Sequence, residues 1–433
     1  MREVSFLHCA DIHLGYLQYN ETERASDFAA AFRQVVIYAL ERQVDFVLIS
    51  GDFFHKRAIN AETLQQAVEL LAPLKEADIP VVAIEGNHDK AFYQDKGSWL
   101  GFLNKQKYLY LLTPFYEEGR LVLLPWDEEV RRGSWLDLKG VRIYGAGYLG
   151  VTTPARVEEA AVFLGKKEQF TVFMLHSAVN MPHSYDLGGL KSEQLEILRG
   201  KVDYVALGHV HSRYETGGWL YNPGSLECVH LDEYAPDKEK GFYHVTLRQG
   251  APTIQYIPSR FRQVARYTLD LSGTLRPEEA SALIFSHLSA AAPAPGAQVQ
   301  ILLTGEIPFN PLNLDLNEMA QKLKEKFSFL YVELKNNLNL PVVGSLEKDG
   351  LIKREDLERH VFAGLLAREK HWTEERLAEA VTLVQRVKSA VLTGEEEAET
   401  IKLLLQAGER LLGDEPAAED LPAKTRDVQE EAV

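Results

Sequence analysis

Cysteine is almost missing from this chain of 433 residues: only Cys9 and Cys228 occur, too few for a disulfide framework. Such scarcity fits a reducing compartment, the cytoplasm, and suits both thiols to a place as small buried hydrophobes. Long apolar runs are missing too. No stretch of 18 or more apolar residues offers a membrane span, so no membrane role is expected. The opening MREVSFLHCADIHLG, charged within its first three residues, does not read as a signal peptide. An excess of positive charge is also lacking: 47 Lys and Arg stand against 63 Asp and Glu, for a net charge of −16. That excludes a simple basic nucleic-acid binder, but not a nucleic-acid enzyme whose site carries metal cations. No Gly-rich Walker loop is present, which excludes ATP binding by that route, and no internal repeat is evident.

What is there is enough apolar residue, 45%, for real cores, in a chain long enough for two or three domains. In the first half, apolar strands alternate with amphipathic helices. VSFLHCAD, VDFVLISGD and PVVAIEGNHD read as strands. Between them Asp27 to Gln43, with Phe28, Phe32, Val35, Val36, Ala39 and Leu40 at helical spacing, and then AETLQQAVELLAPLKEA read as helices. The β-α-β-α-β series implies a sheet with covering helices. RLVLLP, VRIYGAGY, TVFMLHS and VDYVALGHVH continue as strands, with a helix from Pro154. WLYNPGS, GFYHVTL and TIQYIP look like a closing antiparallel set. A small second domain is expected over 262–338, with strands RQVARYTLDL, VQILLTG and FLYVEL around helices PEEASALIFSHL and LNEMAQKLKEKF. Residues 353–412 read as helical, with Val361, Leu365 and Leu366, then Leu377, Val381, Val384, Val387 and Val391, then Ile401, Leu404, Leu405, Leu411 and Leu412 marking apolar faces. Residues 413–433 read as a disordered acidic tail.

The strands of the first half share one feature: polar residues crowd their ends. The first ends in Asp11-Ile12-His13, the second in Gly51-Asp52 with His55 beyond, the third in Asn87-His88-Asp89. TVFMLHS delivers His176, and VDYVALGHVH delivers His209 and His211. Taken singly these signals are weak. Asp-x-His is more often a turn than a ligand pair, a strand-end histidine is more often a satisfied core residue, and Asn-His-Asp can be a polar turn. Their succession after five apolar strands is what carries weight, because open α/β sheets place their ligands at the carboxyl ends of strands. Polar groups at a core edge are costly unless something binds them. Carboxylate, imidazole and amide oxygen without thiolate suit Mn²⁺ or Fe²⁺ better than a structural Zn²⁺ cage. Two such ions about 3.5–4 Å apart clamp the attacking and leaving oxygens of a phosphate.

CADIHLGY, GDFFH, IEGNHD, LGHVHSRYET and YNPGSLE, in this order, resemble the calcineurin-like metallophosphoesterases, and within them the SbcD-type nucleases, the bacterial form of the meiotic-recombination Mre nuclease. GDFFH carries a histidine where the superfamily's Ser/Thr phosphatases have an Asp-Arg pair. Lys90 follows GNHD where the family often has Arg. The resemblance implies an α/β fold: a metallophosphoesterase sandwich of mixed sheets flanked by helices over 1–260, a small α+β capping domain over 262–338 that steers DNA, and C-terminal helices over 353–412 that bind an SbcC-type SMC-like ATPase. It implies exonuclease and endonuclease activity with two divalent ions, Mn²⁺ above all, and a homodimer. Asp11, His13 and His211 would hold one metal, Asn87, His176 and His209 the other, and Asp52 would bridge them. His88 would face the substrate, Asp89 would orient His88, and His55 would sit near the scissile phosphate. Arg248, Arg260, Arg262 and Arg266, on a segment without acids, are candidate DNA contacts or else a solvated basic edge. Two other readings remain: a calcineurin-like enzyme for a small phosphodiester or phosphomonoester, against which GDFFH and the long C-terminal extension count, and a catalytically silent repair scaffold, against which the full ligand set counts.

Overall fold

Side-chain parity along two sets of strands builds the layers of this chain. The computed structural model describes residues 3–339 apart from 93, 166, 182, 183, 185–187 and 236, together with 358, 359, 362, 363, 365, 366, 373–393, 401 and 404. Chain order begins β1 (Val4–Cys9), α1 (Thr22–Arg42), β2 (Phe46–Ser50), α2 (Ala61–Glu76), β3 (Val81–Ile84), α3 (Trp99–Lys105) and β4 (Tyr110–Leu111). A hairpin of β5 (Phe115–Glu117) and β6 (Arg120–Val122) precedes β7 (Trp135–Leu138), β8 (Val141–Gly147), α4 (Thr153–Phe163), β9 (Phe170–His176), α5 (Ser192–Leu195) and β10 (Tyr204–Gly208). Then come β11 (Tyr214–Thr216), β12 (Leu220–Asn222), β13 (Gly241–Arg248) and β14 (Ala251–Pro258). β15 (Val264–Asp270), α6 (Pro277–Ala291), β16 (Gln298–Glu306), α7 (Leu316–Phe327), β17 (Tyr331–Asn339) and α8 (Glu374–Thr393) follow.

One six-stranded sheet has the order β14-β13-β1-β2-β3-β4, the other β11-β12-β10-β9-β8-β7. β1 to β4 are parallel, as are β8, β9, β10 and β12. Alternate residues of a strand face opposite sides. In β1, Phe6 enters the seam between the sheets while Leu7 and Cys9 face the helices. Phe46 and Leu48 of β2, Val82 and Ile84 of β3, Val172 and Met174 of β9, and Tyr204 and Ala206 of β10 fill the same seam. Their odd or even neighbours pack under α1 to α3 on one side and under α4 and residues 195–198 on the other. The result is a helix–sheet–sheet–helix sandwich, the mixed α/β architecture that the motifs imply.

Two local expectations change. WLYN does not join GFYHVTL and TIQYIP: β12 lies in the second sheet, parallel to β10 and antiparallel to β11, whereas β13 pairs antiparallel with β1 and β14 with β13. Three residues of one run cannot reveal which of two sheets they join. The first helix begins at Thr22 rather than Asp27. Arg24 extends the buried stripe one turn before Phe28, fully enclosed, with Nε on Gln18 Oε1 at 2.7 Å and guanidinium contacts to Asp27 and Glu227. A buried guanidinium continues the core face yet reads as solvent-facing in an apolar pattern.

Contact between residues divides the chain into two units. One comprises Met1–Arg266 with Pro293–Gln300 and Lys324–Val332, and the other takes the remaining described residues. In the second, α6 buries Ala280, Ile284 and Leu288 at four-residue spacing, and Asp315 caps α7 by accepting from the Glu318 backbone N–H at 3.0 Å. α8 is described through Thr393, and Gly394, expected to end it, lies outside the described residues. It buries Ala380, Val381 and Ala390, and its Lys388 pairs with Glu358 at 2.6 Å. Val361, Leu405, Leu411, Leu412 and the 413–433 tail lie outside the described residues. No helix of the described residues is long and apolar enough to cross a membrane.

A histidine lies at the seam among its tyrosines. His8, fully buried, accepts from the Tyr204 hydroxyl at Nδ1 (2.9 Å), and its Nε2–H points to Leu207 O (3.1 Å) and Ser50 Oγ (3.0 Å). That set satisfies a neutral ring. Burial drives its pKa from 6.5 to about 3. Because the folded pKa is depressed, the unfolded chain binds the extra proton first, and stability falls as pH drops below 6.5. Denaturant titrations at pH 7 and pH 5 should show the wild type losing up to about 2 kcal/mol more than His8→Gln over that interval.

Candidate metal centre

The residues at the carboxyl ends of β1, β2, β3, β9 and β10 meet at one end of the seam. Period two explains part of this. His176 closes the row of Val172 and Met174, and its Nδ1–H donates to Ser50 O at 2.8 Å across the sheets. Beyond the strands the backbone turns sharply. Asp11, His13 and Asp52 have φ near 50° and His209 has φ 86°, the left-handed region that non-glycine residues rarely adopt. Such strain costs on the order of 1–3 kcal/mol each and persists where surrounding bonds over-determine it. Here they do: the Asp11 and His13 N–H groups donate to Gly51 O and Asp52 O, and the His209 N–H donates to both oxygens of Asp11 at 3.0 Å. Close approach does the rest. A Cβ on Gly51 would lie 2.3 Å from His176 Nδ1, and one on Gly86 2.0 Å from Asp52 Oδ1.

Two groups of ligand atoms result, each drawn together within 4.8 Å: Asp11, His13 and His211, and Asp52, His176 and His209. Asn87 joins the second, its Oδ1 at 3.3 Å from His176 Nε2 and 3.1 Å from His209 Nδ1. Asp52 Oδ2 stands 3.3 Å from His176 Nε2, and Oδ1 accepts from the His88 backbone N–H at 2.9 Å. The pocket draws positive charge. Burial opposes charge on His176, but Asp52 and then Asp11 outweigh it and lift the imidazole to about 9. Burial raises Asp11 against the pull of His176 and His211. Burial also works against Asp52, yet His176 and His13 hold its carboxyl below the usual range. His209 falls to about 4 through burial and the neighbouring His176.

The donor set fits divalent cations. His13 Nε2 and His211 Nε2 face each other at 3.1 Å. The His211 Nδ1–H is already given to Glu233 Oε1 at 2.6 Å, so in the neutral ring its Nε2 is a bare acceptor aimed at another ring nitrogen. A shared cation suits that arrangement better than a hydrogen bond.

His88 and His55 flank the first group. His88 donates Nδ1–H to the His55 carbonyl at 2.6 Å, and His55 Nδ1 lies 3.3 Å from His13 Nδ1 with its ring stacked on Tyr16 at 3.6 Å. Asp89 does not touch His88 through its carboxylate. It accepts from the backbone N–H groups of Phe53, Phe54 and Gly86, at 3.2, 2.9 and 2.9 Å, and so anchors the turn that carries His88. The bond that orients the His88 ring comes from His55. Of the four arginines, Arg262 grips Asp27 with two nitrogens and Gly296 O with a third, and Arg266 reaches Gln300, Asp232 and Tyr234 O. Arg248 is exposed beside Glu3, and Arg260 is exposed with its backbone N–H on Gln34. Glu233 and Lys240, which no motif flagged, stand directly behind His211.

Residues 4–213 match the family described as calcineurin-like phosphoesterase. Beyond the class, the chain is similar to proteins named DNA double-strand break repair protein Mre11. It is 34% identical over 240 residues to that of Archaeoglobus fulgidus, covering 53% of this chain and 52% of that protein. It is 44% identical over 240 residues to that of Methanosarcina acetivorans, covering 54% and 36%, and 26% identical over 260 residues to that of Saccharolobus solfataricus, covering 59% and 63%. The chain thus spans less than two thirds of the length of each of these relatives.

Gly86 gives the packing a direct check. In Gly86→Ala the new methyl meets Asp52 Oδ1 and the Asp52 backbone N, 2.4 Å away, and neither is a flexible tip. The variant should lose about 1–3 kcal/mol of stability, read by denaturant melts, together with divalent-cation uptake, read by calorimetry.

Proposed function

We propose that this chain is a divalent-metal-dependent DNA nuclease, with exonuclease and endonuclease activity, that serves as a subunit of a double-strand-break repair complex. The observation that carries the proposal is the pair of ligand groups, Asp11–His13–His211 and Asp52–His176–His209 with Asn87, with His88 at their edge. Similarity to proteins named for double-strand break repair supplies the substrate class. In this reading Asp11, His13 and His211 would hold one cation, and His176, His209 and Asn87 the other, with Asp52 as a shared ligand. Bound cations polarise the phosphate and activate the attacking water. Oxygen and nitrogen donors without thiolate favour Mn²⁺. The two free, buried cysteines accord with a cytoplasmic location.

The protein's own residues then divide the work. With the Nδ1–H committed to the His55 carbonyl, His88 presents Nε2 to a phosphate or leaving oxygen and, as the imidazolium, donates a hydrogen bond there as charge builds. Asp89 fixes the height of His88 by holding its turn, and His55 supports both His13 and His88. Arg260 is the better phosphate contact of the four arginines, followed by Arg248, whose guanidinium pairs with Glu3 but is largely exposed, while those of Arg262 and Arg266 are held by several partners within the protein. Residues 262–338 act as the capping domain, residues 353–412 bind an SMC-like ATPase, and the phosphoesterase domain forms a homodimer.

End-labelled duplex DNA should be degraded in Mn²⁺ and spared in chelator, alongside a small chromogenic phosphodiester. Strong turnover of the small ester with DNA left whole would overturn the proposal. In His88→Ala, DNA turnover should fall about 10²–10⁴-fold while calorimetry still finds the cations of the wild type. Ending the chain near Gly344 should leave Mn²⁺-dependent cleavage of short single-stranded DNA nearly intact and abolish co-purification with the ATPase. Unchanged ATPase binding would move the docking surface into the first 344 residues.

A further inference from the structure

Behind His211 lies a polar network that the nuclease reading does not use. Glu233 Oε1 accepts the His211 Nδ1–H at 2.6 Å. Its Oε2 takes the Lys240 ammonium at 2.7 Å and the Val229 N–H at 3.2 Å. Lys240 is itself 3% exposed, and its other two bonds go to His211 O and Ser225 Oγ, both at 2.8 Å. The ammonium's three donors thus tie together the backbone of the ligand residue, the loop beneath it and the carboxylate behind it.

We infer that Glu233, clamped by Lys240, is the positioning residue for His211: it fixes which ring nitrogen is bare and aims that nitrogen at the first cation. The inference rests on the metal-centre reading above. A carboxylate behind a metal-binding imidazole sets its tautomer and orientation, and losing such a partner weakens metal binding about 10–100-fold. Lys240 adds a second property. It neutralises Glu233 at the point of contact, so the support brings no net negative charge to the centre and the carboxylate is not available as a ligand. His230 lies near enough to His211 and Glu233 to suggest a separate cation site. An ammonium at 2.7 Å from the same carboxylate opposes a cation there.

The test is Mn²⁺ titration of the full chain by calorimetry, with manganese spin resonance to separate the sites. Wild type should take up two ions. Glu233→Ala should lose about 10–100-fold in affinity at one site and keep the other, with a lowered thermal transition because the buried Lys240 ammonium loses its countercharge. Glu233→Gln keeps the shape and guards against misfolding of the alanine variant. Facing Lys240 and the Val229 N–H, its amide oxygen turns to those donors and its NH₂ to His211 Nδ1, which moves the ring proton to Nε2. The same site should be lost. His230→Ala should change neither. Wild-type affinities in either folded Glu233 variant would overturn the inference, as would a third wild-type ion lost with Glu233 or His230. Wild type that binds no cation would instead sink the metal-centre reading beneath it.

Discussion

Two buried carboxylates and four imidazoles within one pocket must have positive charge among them, and much of the first unit is arranged around that need. Asp11 and Asp52 are fully enclosed. Bare charges in such a place cost several kcal/mol each unless paired. His176 meets part of the demand, which is why its imidazole is pushed towards the charged form while His209, one neighbour further out, is pushed the other way. The strained turns at Asp11, His13, Asp52 and His209 follow from the same demand. Backbone donors and acceptors lock those turns, and the glycines before Asp52 and Asn87 let the strand ends come close enough.

Much of the centre was legible in the sequence for a simple reason. A parallel strand buried on both faces reads as an apolar run, and the residues directly after it have only one edge of the sheet to occupy. Asp11, His13, Asp52, Asn87, His176, His209 and His211 therefore follow from position along the chain. Residues that act sideways were not legible. Asp89 shares a tripeptide with His88, so a direct bond between them is the natural expectation, yet its carboxylate points back to Phe53, Phe54 and Gly86. Glu233 meets His211 from 22 positions away and Lys240 from a further seven, on a loop with no periodicity.

The sheet layout shows the same division. The parallel strands were readable as alternating apolar runs and helices. The partner of β12 was not, since a three-residue strand carries too little pattern to choose between sheets. Arg24 marks the opposite failure: a residue type taken as solvent-facing lies in the interior because Gln18, Asp27, Glu227 and the Cys228 carbonyl meet its guanidinium. Breaking such a buried pair costs about 3–5 kcal/mol, although forming it stabilises far less.

The first unit does not end where its sandwich does. It recruits Pro293–Gln300 and Lys324–Val332 from stretches of chain that alternate with those of the second unit. Tyr331 from the last of these stacks on Tyr19 at 3.8 Å, close to the start of α1. A ribosome therefore releases all the strands of the sandwich well before it releases the final piece of the unit they belong to. At about 5–20 residues per second, that interval lasts roughly several seconds, during which the nascent sandwich is assembled but unsealed. The timing of synthesis, rather than the geometry of the finished fold, then sets how long the start of α1 must wait for its full surroundings.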